Sequence, residues 1–509
     1  MIRISPQIQF QKKLLSSIQP ALYLLWGITL MILAIIPVLI YKSRTWPLLW
    51  DAAVFHYMAW LITEGAVPYR DIFDVQFPGT YIVHLFIINL FGGGDVAWRV
   101  FDLSCLVIID ALIILFCRPF GKLAVFIGVA LFSAFHLYNG PLYTGQRDYY
   151  LIMFIIAGMY FVARHIENSK FKPHLLVVGG VFLGAAVSIK PYAGLLCLVL
   201  LAIVFFFAVR GGLKWLKPLI LFTVSASLVP GLLMLWLWVI GGLQPFFDIL
   251  FNYLLPFYSK FTFQPFTETV LRSFSGFPSF EIIIVATIAL VNIVINKELR
   301  PRRMLLLTGM LYGFFHFIFQ GRNSYQLYPF VFFAFLIVAS WSHDITRKIP
   351  GLLKCIMFLI LLHCCLLALY RSSSTLVAPP LFHITNSKCK ENLVQDLHGR
   401  VSSGDTVQVM DTISGGIYAL YAMRYKQPTR FLYDAPFFHD RESDYIQNLR
   451  NEFLHDLKTR PPLYFVLSKR SWPINGYERL DTFPELREWL SENYILDIER
   501  GGYRLYRVK

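Results

Sequence analysis

The stretch from Trp50 to Gly79 concentrates groups able to do chemistry in a chain that is otherwise poor in charge. It opens with Trp50-Asp51-Ala52-Ala53-Val54-Phe55-His56-Tyr57 and continues, after a turn, as Glu64-Gly65-Ala66-Val67-Pro68-Tyr69-Arg70-Asp71-Ile72-Phe73-Asp74-Val75-Gln76-Phe77-Pro78-Gly79. A carboxylate can take the proton of an attacking hydroxyl or amine, and a second acidic site, Asp71 and Asp74, could support it or hold a divalent ion. Phe55, Met58, Ala59 and Ile62 line one face of a short helix over 51–64, which sets Asp51 at its N-terminus. An aspartate there is either an N-cap accepting backbone N–H bonds or a base, and one carboxylate can be both. Arg70 beside Asp71 reads as a local ion pair that pins the turn.

Three lone cations form a second group: Arg147 and its neighbour Gln146 in Gly145-Gln146-Arg147-Asp148, Lys190 in Ile189-Lys190-Pro191-Tyr192, and Arg322 in Gly321-Arg322-Asn323-Ser324-Tyr325-Gln326-Leu327-Tyr328-Pro329. Arginine suits bidentate phosphate binding, whereas lysine acts as a point charge. Structural alternatives are an Arg147–Asp148 pair and a Lys190 that snorkels to the membrane surface. His56, His84, His136 and His316 are isolated on apolar segments, so hydrogen-bonded structural roles are expected of them rather than metal ligation. Gly92-Gly93-Gly94 reads as a break between a re-entrant helix and the next span.

The elements that position these groups must cross a membrane. Of the 509 residues, 56% are hydrophobic, 17% aromatic and only 15% charged. Runs of about 20 apolar residues, the length a bilayer requires, recur through the first 371 positions. Spans are expected at 21–40, 96–117, 121–138, 148–164, 174–189, 191–209, 217–240, 280–296, 303–319, 328–341 and 352–370, about eleven in all. The first is too long for a signal-peptide core and is read as retained. The net charge of +15 is scattered among loops, which excludes a nucleic-acid surface and marks topology. Basic loops near 118–122, 164–172, 210–217, 297–303 and 347–354 fall on the cytoplasmic side with the N-terminus. The loop at 41–95, the aromatic loop at 241–279 and the tail then lie outside. That aromatic loop fits an interfacial helix or a groove for an isoprenoid chain. The tail, 372–509, alternates short β-rich runs (406–410, 463–467, 503–508) with helical patterns (415–423, 443–457, 484–492), which indicates a small soluble α/β domain. Six of the seven cysteines lie in or beside apolar runs, so no disulfide framework is implied.

The order of first span, Trp50-Asp51, the Glu64-to-Asp71 turn, Phe77-Pro78-Gly79 and then Trp98-Arg99-x-x-Asp102 resembles the bacterial C-type (GT-C) glycosyltransferases. These include protein mannosyltransferase-like, aminoarabinose transferase-like and Rhizobium-type galacturonosyltransferase enzymes. The resemblance spans nearly the whole chain. It implies a mainly α polytopic inner-membrane protein with an extracytoplasmic α/β domain, transferring a sugar with inversion from a polyprenyl-phosphate carrier to a lipid, glycan or protein acceptor on the outer face. It makes Asp51 the catalytic carboxylate that activates the acceptor. The donor phosphate falls to Arg322, Lys190 and Arg147, with Gln146, Tyr325 and Tyr328 in support. Many relatives carry Asp-Glu where this chain has Asp51-Ala52, so any divalent metal would turn to Asp71 or Asp74. A transporter or flippase of lipid-linked saccharides, or a non-catalytic assembly protein, is the alternative. Against transport, the charges gather at the outer ends of spans and no internal repeat is visible.

Overall fold

A computed structural model describes residues 6–168, 171–211, 215–262, 301–320, 323–345, 351–377, 383–411 and 414–509. Ten of the expected spans fall on described residues, and each is helical: α1 (Pro6–Lys42), α4 (Gly94–Cys117), α5 (Lys122–Tyr138), α7 (Arg147–Ile166), α8 (Pro173–Ile189), α9 (Ala193–Arg210), α10 (Leu216–Val239), α13 (Pro301–Gln320), α14 (Tyr328–Ile345) and α15 (Gly351–Val377). The expected span at 280–296 and Arg322 lie outside the described residues. Seven described helices are long and apolar enough to cross a membrane, against the eleven expected, with α3 (Pro78–Phe91), α5 and α8 as shorter apolar helices.

Helix ends are tied together on each side. At one side Arg302 donates to both carboxylate oxygens of Glu167 and to the carbonyls of Leu115 and Phe116, which the end of α4 leaves without intrahelical partners. Arg303 pairs with Asp344 beside it. Arg302 thus joins the start of α13 to the ends of α4 and α7. Within the bundle, α8 packs on α7 and α10 through small residues. A Cβ at Gly184 would sit 2.3 Å from the carbonyl oxygen of Ala226, and one at Gly180 would sit 2.0 Å from Ser225 Oγ. Such close approach is how apolar helices associate where lipid offers no hydrophobic drive.

The tail folds as expected around a four-stranded sheet, order β1-β2-β4-β3, with β1 (Val407–Met410) parallel to β2 (Tyr464–Ser468) and β4 (Tyr503–Val508) antiparallel to β2 and to β3 (Tyr494–Glu499). A parallel pair needs a crossover, supplied by α17 (Gly416–Met423) and α18 (Asp444–Thr459). Both parallel strands are buried throughout, whereas β3, an edge with a bulge at Leu496/Ile498, is largely exposed and carries no alternating signal. On α18, Ile446, Leu449, Phe453, Leu454 and Leu457 bury one face.

Candidate active site

Asp51 sits in the first turn of α2 (Trp50–Thr63), but the N-cap is Leu49, and no side chain caps the helix. The capping alternative is thus not realised. Trp50 adopts φ +48°, a left-handed conformation costly for a bulky residue, and this swings the chain into α2. The Asp51 carboxylate is partly exposed and accepts no hydrogen bond among the described residues. Burial raises its pKa above the ordinary aspartate value, opposed by the positive charges of Arg147 and Lys190, while Asp148 adds to the rise. Asp51 is therefore a half-buried carboxylate, without a hydrogen bond among the described residues, that feels two cations and a second carboxylate.

Each neighbour is placed by local sequence. Gly145 brings the loop before α7 against the start of α2, where a Cβ would lie 3.2 Å from Ala52 Cβ and 3.3 Å from the Leu49 carbonyl oxygen. Ala52 is fully buried at this contact. Gln146 caps α7 in extended conformation and Arg147 begins it. Arg147 donates to Gln76 Oε1, its guanidinium lies 5.2 Å from the Phe55 ring centre, and its buried Nε has no partner among the described residues. Pro191 ends α8 and holds Lys190 extended (φ −138°, ψ 111°), because the residue before proline avoids the helical region. Lys190 Nζ donates to both oxygens of Asp148 at 2.9 and 2.8 Å and to Gln320 Oε1 at 2.5 Å. Asp148 Oδ1 also bonds His316 Nε2 at 2.6 Å. Gly79 locks this corner to the first loop, since a Cβ there would lie 2.6 Å from the Ser188 backbone.

Three readings of the sequence are corrected here. Asp148 pairs with Lys190 and His316 rather than with Arg147, and Lys190 is buried in that network rather than snorkelling. The histidines are not isolated in space: His56 and His84 meet Nδ1 to Nδ1 at 2.8 Å, and His136 bridges Asp102 and Tyr328 at 3.0 Å each. Arg99 completes that last cluster through Asp102 and Ser43. Tyr328 thus belongs to a buried tie between α4, α5 and α14, whereas Tyr325 is within electrostatic reach of Asp51.

The second acidic site divides. Asp71 is exposed and paired with Arg70 at 2.8 Å, the local ion pair expected. Asp74 is buried, which raises its pKa, and it accepts from Tyr81 (2.8 Å), Tyr433 (2.7 Å) and the Gln76 amide (3.2 Å). It therefore fixes the segment whose Gln76 orients Arg147. Among the described residues no three His, Cys, Asp or Glu side chains group to hold a metal ion. The aromatic loop contributes α11 (Leu243–Ile249) and a π-helical stretch, Leu250–Tyr258, whose last residue also feels Asp51, Arg147 and Asp74. Such wide turns occur often at functional sites. Sequence reasoning missed Gln76, Gln320 and Tyr258, whose only signal was a place in polar or aromatic loops.

Seven described helices long and apolar enough to cross a membrane, joined to a small α/β domain, define the class: a multi-pass membrane protein. Residues 77–238 match the family model described as dolichyl-phosphate-mannose-protein mannosyltransferase, a region that includes Arg147, Asp148 and Lys190 but not Asp51. Comparison with curated protein sequences finds no match. Among solved structures, ArnT from Cupriavidus metallidurans bound to undecaprenyl phosphate is similar with a TM-score of 0.60 at 11% identity, over 94% of this chain and 98% of that one. The same protein in its apo state gives a TM-score of 0.59 at 12% identity, over 94% and 97%. At such identity the likeness is one of fold.

Proposed function

We propose that the chain is a glycosyltransferase that takes a sugar from a polyprenyl-phosphate donor and passes it, with inversion, to an envelope acceptor on the extracytoplasmic face. The observation that carries this reading is the Asp51 carboxylate, without a hydrogen bond among the described residues and within electrostatic reach of Arg147 and Lys190. Asp51 takes the proton of the acceptor hydroxyl or amine as the nucleophile attacks the anomeric carbon, and its raised pKa suits a base near neutral pH better than an ordinary aspartate. The departing lipid phosphate needs fixed positive charge. Arg147, whose buried Nε has no partner among the described residues, is the first candidate. Lys190 is largely committed to Asp148 and Gln320, so it contributes field more than direct contact. Arg322 is retained as a third cation on the sequence resemblance. Asp71 and Asp74 would supply any divalent-ion ligands, although Asp74 is already bonded to Tyr81 and Tyr433. The undecaprenyl phosphate of the ArnT structure and the dolichyl-phosphate-mannose family match both favour a lipid-phosphate donor. N-terminus inside and C-terminal domain outside follow from the loop charges.

The test is a comparison of envelope glycolipids, glycans and glycoproteins from wild-type and deletion strains by mass spectrometry. One product lighter by a glycosyl unit in the deletion strain is expected and names sugar and acceptor together. Identical profiles, with the polyprenyl-phosphate sugar not accumulating, would remove the enzymatic reading.

A further inference from the structure

Where the segment after α11 meets the C-terminal domain, both parts of the molecule contribute rings. Tyr258, partly exposed, meets the Trp472 ring edge-on at 5.9 Å and the His439 ring at 6.2 Å. His439 and Trp472 are 5.6 Å apart, and Tyr253 Oη bonds His439 Nδ1 at 2.7 Å from behind. Tyr253 and His439 are buried, whereas Tyr258 and Trp472 keep accessible surface. Tyr258 is within electrostatic reach of the reaction centre: burial, then Asp51, pushes its hydroxyl up to about 12, against the opposing charge of Arg147.

The chemistry of this wall differs from that of an isoprenoid groove. Each ring carries a polar edge, a hydroxyl, an imidazole or an indole N–H, where a lipid tail would be served by plain aliphatic and Phe side chains. Sugar rings present the matching pattern, a C–H face that covers an aromatic ring and a hydroxyl rim that bonds polar edges. The wall is also rigid. Arg479, fully buried, donates to Asp434 at 3.0 Å and to the carbonyls of Ser468, Gly476 and Met410, while Ser471 Oγ donates to the other Asp434 oxygen at 2.7 Å. The loop bearing Trp472 is thereby fixed at both ends before any ligand arrives, as a binding surface requires.

We propose that Trp472 and Tyr258 form an acceptor subsite for a sugar ring, so that the acceptor is a saccharide-bearing molecule and the C-terminal domain selects it. The proposal rests on the glycosyltransferase reading above. Its test uses full-length protein in a deletion strain complemented with wild type, Trp472→Ala, Trp472→Phe, Tyr258→Leu or Asp51→Asn, with product quantified by mass spectrometry. Stabilisation of each purified protein by undecaprenyl phosphate is measured alongside. Trp472→Ala and Tyr258→Leu are expected to lower product about tenfold, the loss of one aromatic contact. Trp472→Phe should retain most of it, and the response to undecaprenyl phosphate should be unchanged in all three. If Trp472→Ala does not fold, Tyr258→Leu and Trp472→Phe carry the same comparison. Wild-type yields from the ring-removing variants, a polypeptide acceptor, or loss of the undecaprenyl phosphate response would each overturn the subsite. Unchanged product with Asp51→Asn would instead remove the underlying reading, whatever the Trp472 variants do.

Discussion

At the scale of single residues, the account turns on the environment that sets the charge of Asp51. Burial disfavours its charge, and Arg147 and Lys190 restore part of it, leaving the pKa raised. A base is competent only when deprotonated, so kcat/KM should fall as pH drops through a value above the ordinary aspartate range of about 4. Arg147 lowers that value, so Arg147→Gln should move the acid limb of the pH profile further upward while weakening the response to undecaprenyl phosphate. A limb that stays in place, or moves down, would show that Arg147 does not act on the base. Gln76→Ala removes the acceptor that Arg147 uses. It should lower kcat several-fold without changing the thermal midpoint, whereas a matching loss of stability would make Gln76 merely structural.

Elements show which of these relations the sequence could convey. Helices announce themselves by apolar length, and α2 by the one-sided placing of Phe55, Met58, Ala59 and Ile62, so nearly every span was legible. Loop conformation at one point was legible too, because Pro191 dictates an extended Lys190. Partnerships across the bundle were not: Asp148 follows Arg147 in the chain yet bonds Lys190, 42 positions away, and His316, 168 positions away. Helix direction decides such pairs, and a local pattern carries no record of it. Strand β3 escaped for a different reason, since an exposed edge lacks alternation. Close helix contact gives an element-scale prediction. Gly184→Leu would drive a side chain into the Ala226 backbone of α10, an overpacking worth about 1–3 kcal/mol or more. The midpoint of thermal unfolding in detergent should fall, and an unchanged midpoint would contradict the packing described.

At the scale of the whole molecule, hydrogen bonds tie the C-terminal domain to the membrane body. Tyr433 of the domain bonds Asp74, Tyr418 bonds Asp95, and Phe73 donates its amide to the Arg430 carbonyl at 2.8 Å. The domain's own integrity depends on the Asp434–Arg479 pair, which has no solvent exposure. Arg479→Met would take the Arg479 charge from a buried carboxylate, a loss of about 3–5 kcal/mol, and should render the domain sensitive to limited proteolysis. Resistance equal to wild type would show the pair to be dispensable. The most direct measurement for the whole account is the mass spectrum of envelope lipids and glycans from a deletion strain complemented with Asp51→Asn at wild-type expression. The account predicts that the glycosylated product disappears, by a factor of at least about a hundred, while the polyprenyl-phosphate sugar accumulates. Product at the wild-type level from that variant would contradict it.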